Sequence, residues 1–200
     1  MRNFRGVRAQ APFDADDAAF CAGVAVLEEL NLTLDGHGND SEGFSRIKAV
    51  ALKFPRLTIV LNHCGAGMGP SKSDAEVARW RADISDLAAS CPNLVVKVGG
   101  LQMVVNGYKF EERSTPVGSE ELCAMVLPYY QHVIEAFTPA RCCFESNFPV
   151  DKECCSHRVL YNMFKRVASA LGLSEAEKAD IFHDVAMRTY RLADTFCTKL

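Results

Sequence analysis

Imidazole, carboxylate and cationic side chains gather where the apolar runs of this chain stop. The stretch LTIVLNHCGAGMGP, residues 57–70, passes from a hydrophobic segment straight into His63 and then into glycines. Histidine titrates near neutral pH and is the commonest metal ligand. Glycines beside it let backbone or a ligand come close. Arg8 ends FRGVR, Asp35 and His37 end LTLDGH, Lys97 sits in LVVKVGG, and Glu145, Asn147 and Asp151 follow CCF in CCFESNFPVD. Imidazoles and carboxylates can move protons, and arginine or lysine can grip an anion. Each position also has a plain reading. Arg8 can be a surface arginine, Asp35 a turn residue before Gly36, His37 a solvent-facing loop residue and His63 a satisfied core histidine. Lys97 is harder to place plainly, because a central strand would have to bury it.

The elements that must position these residues alternate. Apolar runs at 4–9, 32–36, 57–62, 94–100 and 141–147 read as strands. Segments with helical periodicity are expected from 14–17 through 30, and at 44–54, 74–90, 119–137, 157–171, 174–183 and 185–194. The strand runs are near-continuously apolar, the pattern of parallel strands buried on both faces. The α/β class follows, as an open doubly wound sheet or as part of a barrel. In either, chemistry collects at the carboxyl ends of the strands, where this polar set falls. Residues 102–118 form a long irregular stretch, expected to be a lid or binding loop.

The bulk numbers narrow the function class. With 200 residues, 48% of them hydrophobic, the chain can bury one sizeable core; one domain is expected over 1–194, with 195–200 as a tail. A net charge of −3 gives no reason to expect nucleic acid or an anionic membrane surface as partner. Apolar runs are too short to span a bilayer and the N-terminus lacks a secretory pattern, so a cytoplasmic location is expected. The nine cysteines are odd in number and include no CxxC. They read as reduced packing residues. Cys142, Cys143, Cys154 and Cys155 match no common zinc spacing.

The segments FPRLTIVLNHCGAGMGP, CPNLVVKVGGLQM, RCCFESNFPVDK and the closing TYRL resemble the amidohydrolase-related (amidohydrolase 2 type) metal-dependent hydrolases, which include lactonase-like members. The resemblance implies a TIM-like (β/α)8 barrel with its site at the carboxyl mouth. About five parallel strands are present, so the chain is expected to be the C-terminal portion of that barrel, with the first strands and their His-x-His metal ligands missing. By resemblance His63 is a metal ligand on the sixth strand, for a divalent ion such as zinc or manganese. Arg8 and Lys97 face the mouth, and together with Asp35 and His37 are expected to bind substrate. Where the family often has an aspartate that binds metal and takes a proton from water, this chain has Asn147; Asn147 and Asp151 are the catalytic candidates there. The implied activity is hydrolysis of a small, carboxylated lactone- or amide-type molecule. The alternative is a truncated, inactive member that acts as a binding or regulatory remnant or pairs with another chain, a homo-oligomer included.

Overall fold

The computed structural model describes residues 3–9 and 12–192. Five strands, β1 (Gly6–Arg8), β2 (Thr33–Gly36), β3 (Ile59–Leu61), β4 (Leu94–Val98) and β5 (Cys142–Phe144), form one sheet. All are parallel and their spatial order is their chain order, β1-β2-β3-β4-β5. A doubly wound sheet reverses its order at a switch point. This one does not, so the sheet is an arc of a TIM-like barrel. The crossovers carry α1 (Ala18–Glu29), α2 (Ser41–Lys53), α3 (Asp74–Ser90) and α4 (Ser119–Phe137); α5 (His157–Ala170) follows β5. Adjacent helices pack on one another, α2 on α3, α3 on α4 and α4 on α5. Last come α6 (Glu175–Ala179) and α7 (Val185–Thr189), joined by a π-helical turn at Asp180–Asp184. The expected break at this point is therefore a continuous helical segment with a widened turn. The ends of the expected last helix and of the domain, and the tail 195–200, lie outside the described residues.

The two faces of the sheet differ. Along β4, Leu94, Val96 and Val98 are buried while Val95 and Lys97 are only partly so. Leu94, Val96 and Val98 join Ile59, Leu61 and Cys142 in a core with Ile47, Ile84, Leu87, Leu122, Val126 and Phe164 from the helices. Val60 and Cys143 are buried but stand outside that cluster, because strand side chains alternate between faces and theirs project into the concave side. The expectation of strands buried on both faces is corrected for β1, where Val7 and Arg8 are exposed, and for β4. Helices cover one face, and the other carries polar side chains toward the barrel axis.

Local sequence accounts for the element boundaries. Asp17 accepts the N–H groups of Ala19 and Phe20 and starts α1. Asp40 accepts the Gly43 N–H, so α2 begins at Ser41, three residues before its first apolar anchor, Phe44. Ser73 and Glu76 form a reciprocal capping box at α3, as do Ser174 and Glu177 at α6. α4 runs unbroken across Pro128.

The 102–118 stretch is held down over its first half and at Val117, while residues 111–116 are exposed. Gln102, Asn106, Tyr108, Phe110 and Val117 are all buried. Asn106 donates from Nδ2 to the carbonyl of Leu101 at 2.7 Å, and its own carbonyl accepts the Ser71 N–H. The part of the expected lid or binding loop around Asn106 is pinned to the loop after β3.

Candidate active site

Register aligns the polar set. Arg8 pairs with Asp35 across β1 and β2, Asp35 with Val60, and Lys97 with Cys143. Asp35 and Lys97 therefore share the concave face, as does Glu145 two residues beyond Cys143. Lys97 Nζ donates to Asp35 Oδ2 at 2.8 Å, and the hydroxyl of Tyr190 donates to the same oxygen at 2.8 Å. Thr33 donates to Asp35 Oδ1 at 3.2 Å. The Lys97 ammonium also lies 5.5 Å from the centre of the Tyr190 ring. Burial and the neighbouring Asp35 carboxylate push the Tyr190 phenol well up. Lys97 and Asp35 were expected to meet substrate. In the structure each is committed to the other and to the C-terminal helix.

His63 occupies the turn after β3. Its φ is +53°, followed by Cys64 at +55° and Gly65 at +84°, so three successive residues are left-handed and two of them carry the strain of a Cβ there. Nδ1 of His63 lies 2.5 Å from Glu145 Oε1. The ring N–H axis does not point at that oxygen, so Nδ1 has no formed hydrogen bond, but the His63 backbone N–H donates to it at 3.3 Å. The glycines that end β4 make this contact possible. A Cβ on Gly99 would stand 2.3 Å from the Glu145 carbonyl oxygen; one on Gly100, whose φ is +72°, would stand 2.6 Å from His63 Nδ1.

Asn147 and Asp151 belong to a network behind the mouth. Asn147 Nδ2 donates to Asp151 Oδ1 at 2.9 Å, and Gln102 Nε2 donates to Asp151 Oδ2. The Tyr130 hydroxyl donates to Gln102 Oε1 at 3.2 Å, and the Cys154 thiol to the Gln102 carbonyl at 2.8 Å. Asp151 is 0% exposed. Burial pushes its carboxyl up to about 6, against the lowering effect of the Asn147 hydrogen bond. Asp151 thus stands behind Asn147 and orients it, out of reach of a molecule in the mouth. Its carboxylate holds the Asn147 amide nitrogen and leaves the Asn147 side-chain carbonyl as the free end.

A cavity of about 510 Å³ opens at this edge, lined by Arg8, His37, His63, Asn147, Met103 and Val105 among others. Arg8 is exposed, and its guanidinium has no partner among the described residues. His37 is open to solvent on one side. Partial burial of its ring, then Arg8, then His63 hold it below the usual imidazole value. A slightly larger cavity, about 560 Å³, adjoins through His37 and Asn39. Its carboxylates are engaged locally: Asp17 and Asp40 cap helices, and Glu42 pairs with Arg46. The cavity around His63 is therefore the candidate site. Of the expected residues, the structure brings Arg8, His37, His63 and Asn147 to it. Asp35 and Lys97 lie on the concave wall and Asp151 lies behind. Glu145, Tyr190 and Gln102 are the working partners that motif reading did not assign. The position of Glu145, two residues past a strand residue facing the axis, was the available signal for it.

The resemblance implies a divalent metal at His63. A catalytic zinc takes three protein ligands, and among the described residues no group of three or more His, Cys, Asp or Glu side chains converges. Asp35 is paired with Lys97, Asp151 is sealed, and Glu145 faces the histidine. The donor set of this chain does not fit such an ion, and no step is assigned to one. Eight free cysteines lie among the described residues, seven of them buried; the vicinal pairs build no metal cluster.

Comparison with known proteins follows the same lines. An L-fucono-1,5-lactonase from Burkholderia multivorans is 28% identical over 198 residues, covering 95% of this chain and 64% of that protein. An uncharacterized protein, y4mH, from Sinorhizobium fredii is 34% identical over 144 residues, 72% of this chain and 42% of its own length. The crystal structure of an amidohydrolase from Burkholderia multivorans with bound zinc superposes with a TM-score of 0.77 at 26% identity, covering 94% of this chain and 64% of that one. The chain thus spans less than two thirds of the length of each of these relatives. The amidohydrolase family model matches residues 2–192, and with five consecutive parallel strands presenting His63 at their carboxyl edge, the chain belongs to the amidohydrolase family.

Proposed function

We propose that this chain carries the carboxyl-mouth portion of a hydrolase site that opens small, carboxylated lactones. The observation that carries the reading is the His63–Glu145 contact in the cavity that also holds Arg8. A carboxylate behind Nδ1 favours the proton there and leaves the Nε2 lone pair for the mouth. A modest turn of the ring converts the 2.5 Å contact into a hydrogen bond. His63 then takes a proton from water as the water oxygen bonds to the lactone carbonyl carbon. When the ring C–O bond breaks, the same proton goes to the leaving alkoxide. Arg8 holds the substrate carboxylate, and neutral His37 hydrogen-bonds beside it. Kinship with a lactonase supports the ester-type substrate, and zinc in a related structure supports a metal in longer relatives. Asn147, which cannot act as a general base, favours a second reading, in which the chain binds such molecules without turning them over. Purified protein assayed on a panel of carboxylated lactones, with and without added zinc or manganese, tests both. Turnover abolished by His63→Ala supports the hydrolase; turnover indifferent to it overturns the assignment.

A further inference from the structure

Nine large hydrophobic side chains are exposed among the described residues, and two of them, Val105 and Val150, line the mouth. Val105 is 77% exposed and Val150 55%. Single exposed apolar residues are ordinary, but a cluster beside a polar cavity marks a place where something apolar is bound. Met103, Val105 and Val150 line the same cavity as His63 and Arg8.

Their display is fixed by the backbone. Asn106 is buried and donates to the carbonyls of Leu101 and Gly100. The N–H groups of Asn106 and Gly107 close tight turns onto Met103 and Val104. Gly67 and Gly69 pack so closely on Asn106 that a Cβ on either would collide with it. The segment that presents Val105 is therefore preorganised, and the entropy of ordering it is already spent on folding.

Strand order separates this rim from the charge. Arg8 ends β1 and His37 follows β2, His63 follows β3, Met103 and Val105 follow β4, and Val150 follows β5. Neighbouring strands are about 4.8 Å apart, so a cation, a central imidazole and an apolar wall succeed one another along the mouth. Lys72, the other cation lining the cavity, is paired with Glu76, which leaves Arg8 as the anion site.

We infer that the mouth selects lactones bearing a carboxylate at one end and an alkyl or aryl substituent at the other, with Met103, Val105 and Val150 as specificity-determining residues. This rests on the reading of the cavity as a hydrolytic site. A polyhydroxylated sugar lactone would find a side-chain acceptor there, the Asn147 carbonyl, and would set its remaining hydroxyls against apolar side chains.

Calorimetric titration with ring-opened products tests the inference without requiring turnover. The probes are 2-hydroxyglutarate, its 4-phenyl derivative and glucarate, each the ring-opened form of a lactone that keeps a free carboxylate. The phenyl compound is expected to bind about tenfold tighter than 2-hydroxyglutarate, the gain from burying a modest apolar area, and glucarate no tighter than 2-hydroxyglutarate. Val105→Ser with Val150→Ser, both at exposed positions, removes the gain, so that the phenyl and unsubstituted acids bind alike. Arg8→Gln weakens all three. Equal affinity for the phenyl and unsubstituted acids, a phenyl gain that survives the serine substitutions, or failure of every probe to bind overturns the inference. Selective binding with no turnover of the parent lactones overturns the hydrolase reading and keeps the ligand class. Turnover without phenyl preference does the reverse.

Discussion

Glu145 reaches across from the end of β5 to His63 at the end of β3, two strands away, bringing Oε1 to 2.5 Å from the ring Nδ1 and accepting the His63 main-chain N–H with the same oxygen. One carboxylate thus fixes the turn and stands against one edge of the imidazole. Glu145→Gln keeps the size and can still accept the main-chain N–H, but loses the charge that, in the hydrolase reading, favours a proton on Nδ1. Turnover is expected to fall about 10- to 100-fold, as for other residues that orient a working histidine. Nitrogen NMR of His63 is expected to show a shift away from the Nδ1–H form. Unchanged turnover and tautomer would show that Glu145 serves only the turn.

Gly100→Ala tests the same pair from below. Its φ of +72° disfavours any Cβ, and the added methyl would meet Nδ1 at 2.6 Å. The backbone strain costs about 1 kcal/mol, which urea denaturation measures. The larger expected effect is on the site. The ring is displaced from Glu145, and turnover drops by more than tenfold while most of the stability is kept. A loss of stability with full activity would mean that the ring has room to move.

The strands, five of the helices and the shared edge of the polar residues were legible in sequence, because apolar period and capping residues are local signals. The ends of α3 and α4 coincide with their patterns for that reason. What was not legible depends on pairs distant in sequence. Lys97 and Asp35 are 62 residues apart and Tyr190 and Asp35 are 155 apart; nothing in either neighbourhood announces the other. Each alone looked like a substrate clamp at a strand end. Asp151, four residues from Asn147, looked like part of the same motif, yet the turn at Val150–Glu153 rolls it inward to Gln102. In the 102–118 stretch the lack of periodicity points to a lid or binding loop but hides the anchors, such as Asn106, which act one residue at a time.

The Asp35, Lys97 and Tyr190 cluster ties the C-terminal helix to the concave face. The side chains of Lys97 and Asp35 retain 21% and 12% of their exposure, so solvent screening moderates their attraction. Lys97→Met leaves Asp35 without its cation and is expected to cost about 2–3 kcal/mol, below the range for fully buried pairs. Tyr190→Phe removes one hydrogen bond to the same oxygen, about 1 kcal/mol. In a double-mutant cycle by urea denaturation the two effects are expected to be non-additive, since both partners serve one carboxylate. Strict additivity would show that they act independently.

Asp151 makes stability depend on pH with a sign opposite to that of an ordinary paired carboxylate. In the native state its carboxyl is raised to about 6, whereas in the unfolded chain it titrates near 3.9. Between these values the folded protein holds a proton that the unfolded chain has released. Stability from this group is therefore full at about pH 4, declines as pH rises through 6, and is level above it. The difference is on the order of 3 kcal/mol, at about 1.4 kcal/mol for each unit of pH. Asp151→Asn cannot ionise and is expected to flatten that decline, measured as unfolding free energy between pH 4 and pH 7. Its new amide offers one acceptor and one donor, whereas the carboxylate accepts from both Asn147 and Gln102. One neighbour must therefore turn over, and if Asn147 turns, its amide nitrogen faces the mouth. Asp151→Ala leaves the buried Gln102 amide unpaired and Asn147 without its partner, and is expected to cost about 1–3 kcal/mol at pH 7. If stability rises between pH 4 and pH 6 in the parent and is unaltered in Asp151→Asn, the carboxyl is ionised throughout and the buried network is held together by charge.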